Sequence, residues 1–184
     1  MLNHASYATL IEKGRSAGAD FVEVYAERWR TRLLRTIDDH VEEAGSSLQF
    51  GAGIRLFFGT NVVYGYTNDL SDAALGELLS SLVAVRAVEG AGVPDATGRG
   101  GLDLRTKRAG TDIHAPQVAF EARDKAWRLE RMRELEAGAR ISPEVKQVEG
   151  RLIEWEQDVS VANSDGLIAD DRRVRTRLIA QVIA

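Results

Sequence analysis

Apolar and polar residues alternate along much of the first part of the chain, which is the pattern of half-buried β-strands. The run FVEVYAERWRTRLLRTI predicts a first strand, and residues 41–50 predict a second strand after a turn at Asp38-Asp39. The runs IRLFF and VVYGYT predict a third and a fourth strand that pair as a hairpin. Gly59 lies between these two runs and can adopt the positive φ that a tight type II′ turn requires.

Three other segments follow the helical period. Residues 5–17 predict a first helix, and residues 71–89 predict a second helix with Ser71 as its N-cap. A third helix is predicted over residues 116–138, because a proline suits its first turn and a glycine its end. Residues 90–115 are rich in glycine and have no periodicity, so they predict a mobile loop.

The end of the sequence alternates most regularly. In RLIEWEQDVSV the carboxylates share one face, and in RVRTRLIAQV arginines alternate with less polar residues. A two-residue type I′ turn at Asp165-Gly166 would align the carboxylates with the arginines. The same register sets Asp170-Asp171 opposite apolar residues, a mismatch that a bulge or a wider loop would relieve. The predicted pairs are Glu154 with Arg177, Glu156 with Arg175, and Asp158 with Arg173. The order of elements predicts an α+β fold in which a mainly antiparallel sheet is flanked by about three helices.

Composition limits the possible functions. The chain has 184 residues and no cysteine, which predicts a single domain over residues 1–184 and suits a cytoplasmic protein. No signal-peptide layout opens the sequence and no apolar run is long enough to cross a membrane, so no membrane partner is expected. The net charge of −4 gives no general attraction to nucleic acid. His4, His40 and His114 are far apart and form no H-E-x-x-H motif.

The glycines of GAGIRLFFGTNVVYGYTNDLS allow two chemical interpretations. They could cradle a phosphate, but no Gly-Lys-Ser/Thr follows them and they interrupt strands instead of joining a strand to a helix. Asp69 and Asp72 also place negative charge where a phosphate would bind at the start of the second helix. Bends and close packing in a hairpin therefore explain these glycines better.

A basic strand face allows a second pair of interpretations. Arg28, Arg30 and Arg32 alternate along the first strand with Trp29 on the opposite side, which could form a nucleic-acid surface. The acidic total favours the alternative of a solvated face neutralised by neighbours such as Glu42 and Glu43.

Three segments in this order resemble the N-terminal part of the TldD/PmbA proteins. They are GADFVEVYAERWRTRLLRTIDDHVEE, GAGIRLFFGTNVVYGYTNDLS and VSVANSDGLIADDRRVRTRLIAQVIA. The resemblance implies a zinc metallopeptidase that acts on peptides or unfolded proteins, with two sister subunits that pair as a dimer. Some members carry the label modulator of DNA gyrase. The family's H-E-x-x-x-H zinc motif belongs to a C-terminal domain and does not occur in this sequence. No catalytic residue, metal ligand or cofactor is therefore assigned to this chain, and zinc is implied only for a full-length member.

By itself the chain is expected to be inactive, either as an N-terminal fragment or as a truncated relative. We expect it to supply a wall of the substrate cleft or part of the interface with a sister subunit or a second copy. The residues expected to face substrate are Tyr64, Tyr66, Asn68 and Asp69, where the fourth strand leads into the second helix. The alternative is a standalone protein-interaction module that uses an exposed sheet edge.

Overall fold

A computed structural model describes residues 2–88, 105–106 and 116–184 of the chain, with no side-chain description for 86–88 and 105–106. Apart from residues 105 and 106, the mobile loop predicted for 90–115 lies outside the described residues. The elements in chain order are α1 (His4–Ser16), β1 (Phe21–Ile37), β2 (His40–Phe58), β3 (Asn61–Thr67), α2 (Asp72–Val88), β4 (Arg105–Thr106), α3 (Lys125–Ala139), β5 (Gln147–Asn163) and β6 (Leu167–Ile183).

The strands form one sheet in the order β3-β2-β1-β5-β6-β4. Its five long strands are antiparallel, and the two-residue β4 pairs parallel with β6. The predicted α+β class, with a mainly antiparallel sheet and three helices, is confirmed. The turn predicted between β1 and β2 is also confirmed, because Asp38 and Asp39 both have positive φ values, 48° and 63°. Gly59 has a φ of 61° and turns β2 into β3 as predicted.

The first of two compact units contains Met1–Arg28, Phe50–Thr111 and Asp158–Asp171. Its core consists of apolar side chains from α1, α2 and one face of the sheet, and each fully buried aliphatic side chain contributes roughly 1.5–3 kcal/mol. Helix α1 is capped by Asn3, whose side chain accepts a hydrogen bond from the Ser6 N–H. The largest buried side chains of this core include Tyr7, Ile11, Val22, Val24, Ile54, Leu56 and Leu75.

The second unit contains Trp29–Gln49, Asp112–Gln157 and Arg172–Ala184. Helix α3 packs on β5 where Gly150 leaves space for it, since a Cβ there would lie 2.7 Å from the Met132 methyl group. Charged side chains of α3 and β5 are buried in this unit, among them Arg128, Glu154 and Glu156. Strands β1, β2, β5 and β6 each contribute residues to both units. The division into units therefore does not decide whether residues 1–184 form one domain, and the single domain stays a prediction.

Two predicted boundaries are wrong. Residues 41–50 and IRLFF were predicted as separate strands, but they belong to the single nineteen-residue strand β2. Pairing along β1 outweighs the low strand propensity of the glycines between them. Helix α3 begins at Lys125 rather than at the proline of position 116. Asp124 is its N-cap and accepts a hydrogen bond from the Trp127 N–H at 2.8 Å.

The last two strands are neighbours in the sheet as predicted, but the register predicted for them is wrong. Strand β5 ends at Asn163 and β6 begins at Leu167, so the loop has three residues instead of two, and only Gly166 in it has a positive φ. A shift of one residue moves every side chain of a strand to the other face. Glu154 contacts Arg128 in place of the predicted Arg177, and Glu156 contacts Arg30 and Arg172 in place of the predicted Arg175. Asp158 contacts Arg28.

Candidate functional site

Strand β3 lies at one end of the sheet and pairs only with β2 among the described residues 2–88, 105–106 and 116–184. The register places Arg55 opposite Tyr64 and Gly53 opposite Tyr66. The outer edge of β3 consequently has main-chain N–H and C=O groups with no partner strand in the described part of the chain. Such an edge can accept an additional extended chain by main-chain hydrogen bonds.

The two faces of β3 differ in what covers them. On one face α2 packs against Gly65, where an added Cβ would lie 2.7 Å from Leu78 Cδ1 and 3.1 Å from Leu82 Cδ2. The other face carries three large side chains that remain exposed, Val62 at 49%, Tyr64 at 58% and Tyr66 at 77%. The edge therefore combines an exposed apolar and aromatic face with main-chain groups that pair with no strand in the described part of the chain.

The tyrosines of this face are held in place by their neighbours. Their rings stack with centroids 6.5 Å apart, and the Arg55 guanidinium lies 5.8 Å from the centre of the Tyr64 ring. Arg55 is itself fixed by a 3.1 Å ion pair with Glu23. Gly53 leaves room for Tyr64, because a Cβ at that position would lie 2.9 Å from the ring. Sequence patterns identified the tyrosines and predicted close packing at the glycines of this hairpin, but they did not identify Arg55, whose position opposite Tyr64 comes from the register with β3.

Asn68 and Asp69 form the corner between β3 and α2, and both are exposed. The Asp69 carboxylate accepts a hydrogen bond from the Ser71 N–H at 2.9 Å, and this bond holds the pKa of Asp69 below its ordinary value. Ser71 then caps α2 by accepting a hydrogen bond from the Ala74 N–H, as predicted. The Asp69 carboxylate thus has a structural partner, whereas Tyr64, Tyr66 and Asn68 present exposed side chains. The substrate-facing role of all four residues stays a prediction.

The arginines of β1 have partners other than those predicted. Arg30 and Arg32 both contact Glu121, and Arg32 lies over the Phe120 ring at 4.1 Å from its centre. Arg30 also contacts Glu156, whose carboxylate is fully buried. Glu42 and Glu43, the neutralising neighbours expected from the sequence, form none of these contacts. This face of the sheet is a network of buried and half-buried ion pairs.

The carboxylate at the centre of this network stays charged. Burial alone would raise the pKa of Glu156, but hydrogen bonds from Arg172 and Arg30 outweigh the burial and lower the pKa. A buried carboxylate between two guanidinium groups holds three strands together. It offers no ligand site, because its oxygens are already engaged.

The described residues contain no metal site. In residues 2–88, 105–106 and 116–184, no three His, Asp or Glu side chains are grouped so that they could hold a metal ion. His4 begins α1 and His40 begins β2, while His114 lies outside the described residues. The zinc that the resemblance implies for a full-length family member therefore has no ligand set here, and we derive no reaction step from it.

Comparisons with known proteins agree with the sequence resemblance. Residues 22–89 match the family model for PmbA/TldA metallopeptidase domain 1, and residues 119–184 match the model for the PmbA/TldA metallopeptidase central domain. The chain belongs to the PmbA/TldD family. No curated protein matches it. Among the described helices, none is long and apolar enough to cross a membrane.

Three solved structures of other proteins share this fold. A modulator of DNA gyrase from Thermotoga maritima is 13% identical, with a TM-score of 0.72 over 98% of this chain and 39% of that chain. A second modulator of DNA gyrase, from Bacteroides thetaiotaomicron, is 13% identical, with a TM-score of 0.69 over 99% of this chain and 42% of that chain. TldE from Thermococcus kodakarensis is 14% identical, with a TM-score of 0.61 over 96% of this chain and 39% of that chain. The chain thus spans about two-fifths of the length of these structures. At 13–14% sequence identity, the structural similarity shows a shared fold and nothing further.

Proposed function

We propose that this chain is the non-catalytic, N-terminal portion of a PmbA/TldD-type zinc metallopeptidase that acts on peptides or unfolded proteins. Its role is to supply one wall of the substrate cleft, at which an extended peptide adds to the edge of β3 as a further strand. The observation that carries this proposal is the β3 edge, which pairs with no further strand among the described residues and has Val62, Tyr64 and Tyr66 exposed beside it.

Strand addition suits this class of substrate. Main-chain hydrogen bonds form with any extended peptide, so they favour unfolded chains without selecting a sequence. The exposed tyrosines add apolar contact area on a face that Gly53 and Arg55 already shape. Hydrolysis is assigned to a part of the full-length protein outside this chain. We further propose that the protein acts in the cytoplasm, where a chain without cysteine is at no disadvantage.

A binding measurement with a neutral peptide tests this proposal. The probe is a fluorescein-labelled peptide of about twelve alternating threonines and valines with lysine at each end, long enough to span the seven residues of β3. Fluorescence anisotropy should show saturable binding to the 184-residue chain. The same peptide with alternate N-methylated residues should bind about tenfold more weakly, because it lacks half of its main-chain donors.

Substitutions locate the site. The double variant Tyr64→Ala/Tyr66→Ala should weaken binding of the neutral peptide several-fold, whereas Val85→Ala, an exposed apolar residue of α2, should not. Equal binding of the N-methylated peptide, or equal loss in the Val85 control, would exclude strand addition at β3. Stoichiometric zinc binding together with peptide cleavage by the chain alone would refute the division between binding and catalysis. Competition between the peptide and dimerisation of the chain would assign the edge to the subunit interface instead.

A further inference from the structure

The tyrosine face of β3, which carries Val62, Tyr64 and Tyr66, belongs to the acidic part of the chain. By sequence, the first unit contains fourteen aspartates and glutamates against nine lysines and arginines, a net charge of −5. The second unit contains fourteen against fifteen, a net charge of +1, and the two together give the −4 of the whole chain. The excess of negative charge therefore lies in the unit that carries β3.

The charged side chains next to the tyrosine face do not reverse this excess. Arg55 lies opposite Tyr64 on β2, but it forms a 3.1 Å ion pair with Glu23. Glu27 lies four residues further along β1, on the same side of the sheet as Glu23, and accepts a 2.6 Å hydrogen bond from the Tyr25 hydroxyl. In the first unit, this side of β1, β2 and β3 therefore carries one arginine and two glutamates.

Tyr66 is the most accessible residue of the tyrosine face. It is 77% exposed, and the β2 residue opposite it is Gly53, which has no side chain. Tyr64 stacks against one side of it, with 6.5 Å between the ring centroids. The Arg55 guanidinium already lies 5.8 Å from the Tyr64 centroid, and it reaches that ring from β2, on the inner side of β3. A strand added to β3 would lie on the outer side, so its cations would not take the position of Arg55.

We propose that the β3 edge prefers peptide segments with lysine or arginine at every second position. This inference rests on the proposed function, in which the peptide adds to β3 as a further strand. Residues opposite each other in an antiparallel pair have Cβ atoms about 4.5–5.5 Å apart, and alternate residues share a face. Alternate residues of the added strand consequently lie beside Tyr64 and Tyr66, within the roughly 6 Å at which a ring attracts a cation. The main chain selects extended peptides, and the rings and the negative charge select basic ones among them.

Three peptides of about twelve residues measure the preference. One alternates lysine and threonine, one alternates glutamate and threonine, and the third has the same lysines in one block followed by the threonines. Each is labelled with fluorescein and titrated against the 184-residue chain by anisotropy. The alternating lysine peptide should bind at least about tenfold more tightly than the glutamate peptide and about threefold more tightly than the block peptide. Added salt should reduce the first difference, because it screens the charges.

A pair of substitutions at Tyr66 tests the role of the ring. Tyr66→Phe keeps the ring and should leave the affinity for the alternating lysine peptide within about twofold. Tyr66→Leu keeps apolar contact area without a ring and should weaken this binding about three- to fivefold. As a control, Tyr25→Leu removes a tyrosine from β1, two strands away from the edge, and should change the affinity by no more than about twofold. The affinity for the neutral threonine–valine peptide should stay within about twofold in all three variants.

Several outcomes would overturn the preference for basic residues. Equal affinity for the lysine and glutamate peptides would show that the edge does not select charge. Equal affinity for the alternating and block lysine peptides would show that only net charge is recognised. Equal affinities of Tyr66→Phe and Tyr66→Leu for the alternating peptide would show that the ring has no role. In each of these cases, binding of the neutral peptide would leave the proposed function of β3 intact. Failure of the neutral peptide to bind would instead refute that function and this inference with it.

Discussion

Replacing Glu156 by alanine should be among the most destabilising single changes in the second unit. Its carboxylate is fully buried and contacts Arg30 and Arg172. Removing one partner of a buried ion pair costs about 3–5 kcal/mol, because the remaining charge stays desolvated. Two features of this site reduce that cost. Arg172 is 55% exposed and can return to water, and Arg30 is 27% exposed and keeps a 2.7 Å contact with Glu121. We therefore expect a loss of about 3 kcal/mol for Glu156→Ala.

The conservative variant and a matched control separate charge from shape. Glu156→Gln keeps the volume and one acceptor oxygen, so it should lose about 1–2 kcal/mol. Glu121→Gln removes a carboxylate that contacts two arginines but is 56% exposed, so its loss should stay below about 1 kcal/mol. Urea unfolding measures all three values, and an unchanged m-value would show that the unfolding transition is otherwise the same. If Glu156→Ala lost no more stability than Glu121→Gln, the buried ion pairs would not be what stabilises this unit.

Three further changes test other parts of the fold. Gly65→Val should displace α2, because its side chain would overlap Leu78, and unfolding experiments should show a loss of about 1–3 kcal/mol. Asp38→Ala should lower the free energy of unfolding by about 2–3 kcal/mol, because alanine is strained at a φ of 48° and cannot accept the hydrogen bond from the Val148 N–H. Asp38→Asn should lower it less. The Glu149 carboxylate contributes its full stabilisation above pH 4.5, and this contribution should be lost as the pH falls from 4.5 to about 2 and the carboxylate is protonated. In Glu149→Gln the free energy of unfolding should depend less on pH over this range.

Local patterns predicted most of the secondary structure. The predicted strand FVEVYAERWRTRLLRTI has the same bounds as β1. The prediction succeeded because the alternation of apolar and polar residues and the strand propensity of the residues both favour a strand over the whole segment. The turns at Asp38-Asp39 and at Gly59 were predictable because few residue types tolerate positive φ. The turn before β6 was not, because Ser164, Asp165 and Gly166 suit a three-residue loop as well as a two-residue turn. The misplaced Asp170-Asp171 was the one local sign of the longer loop.

Long-range contacts explain what the sequence could not predict. Two glutamates on one face of a strand, Glu154 and Glu156, predict a solvent-exposed face, yet both side chains are buried. Their partners include Arg128 and Arg30, which lie 26 and 126 residues away in the sequence. No periodicity in the sequence reveals such pairs.

The candidate site was predictable in part. Tyr64 and Tyr66 are separated by one residue, so their common face follows from the strand period. Which face is exposed depends on α2 packing against Gly65, a contact that requires the fold. The position of β3 at the sheet edge likewise follows from the strand order and not from its sequence.

Hydrogen–deuterium exchange tests the proposed peptide site at β3 most directly. The 184-residue chain is measured alone and with a saturating amount of the neutral threonine–valine peptide. Strand addition should slow the exchange of amides within Asn61–Thr67 that have no partner in β2, and the N-methylated peptide should not have this effect. Unchanged exchange in Asn61–Thr67, with protection elsewhere in the chain, would contradict the proposal that β3 receives the substrate.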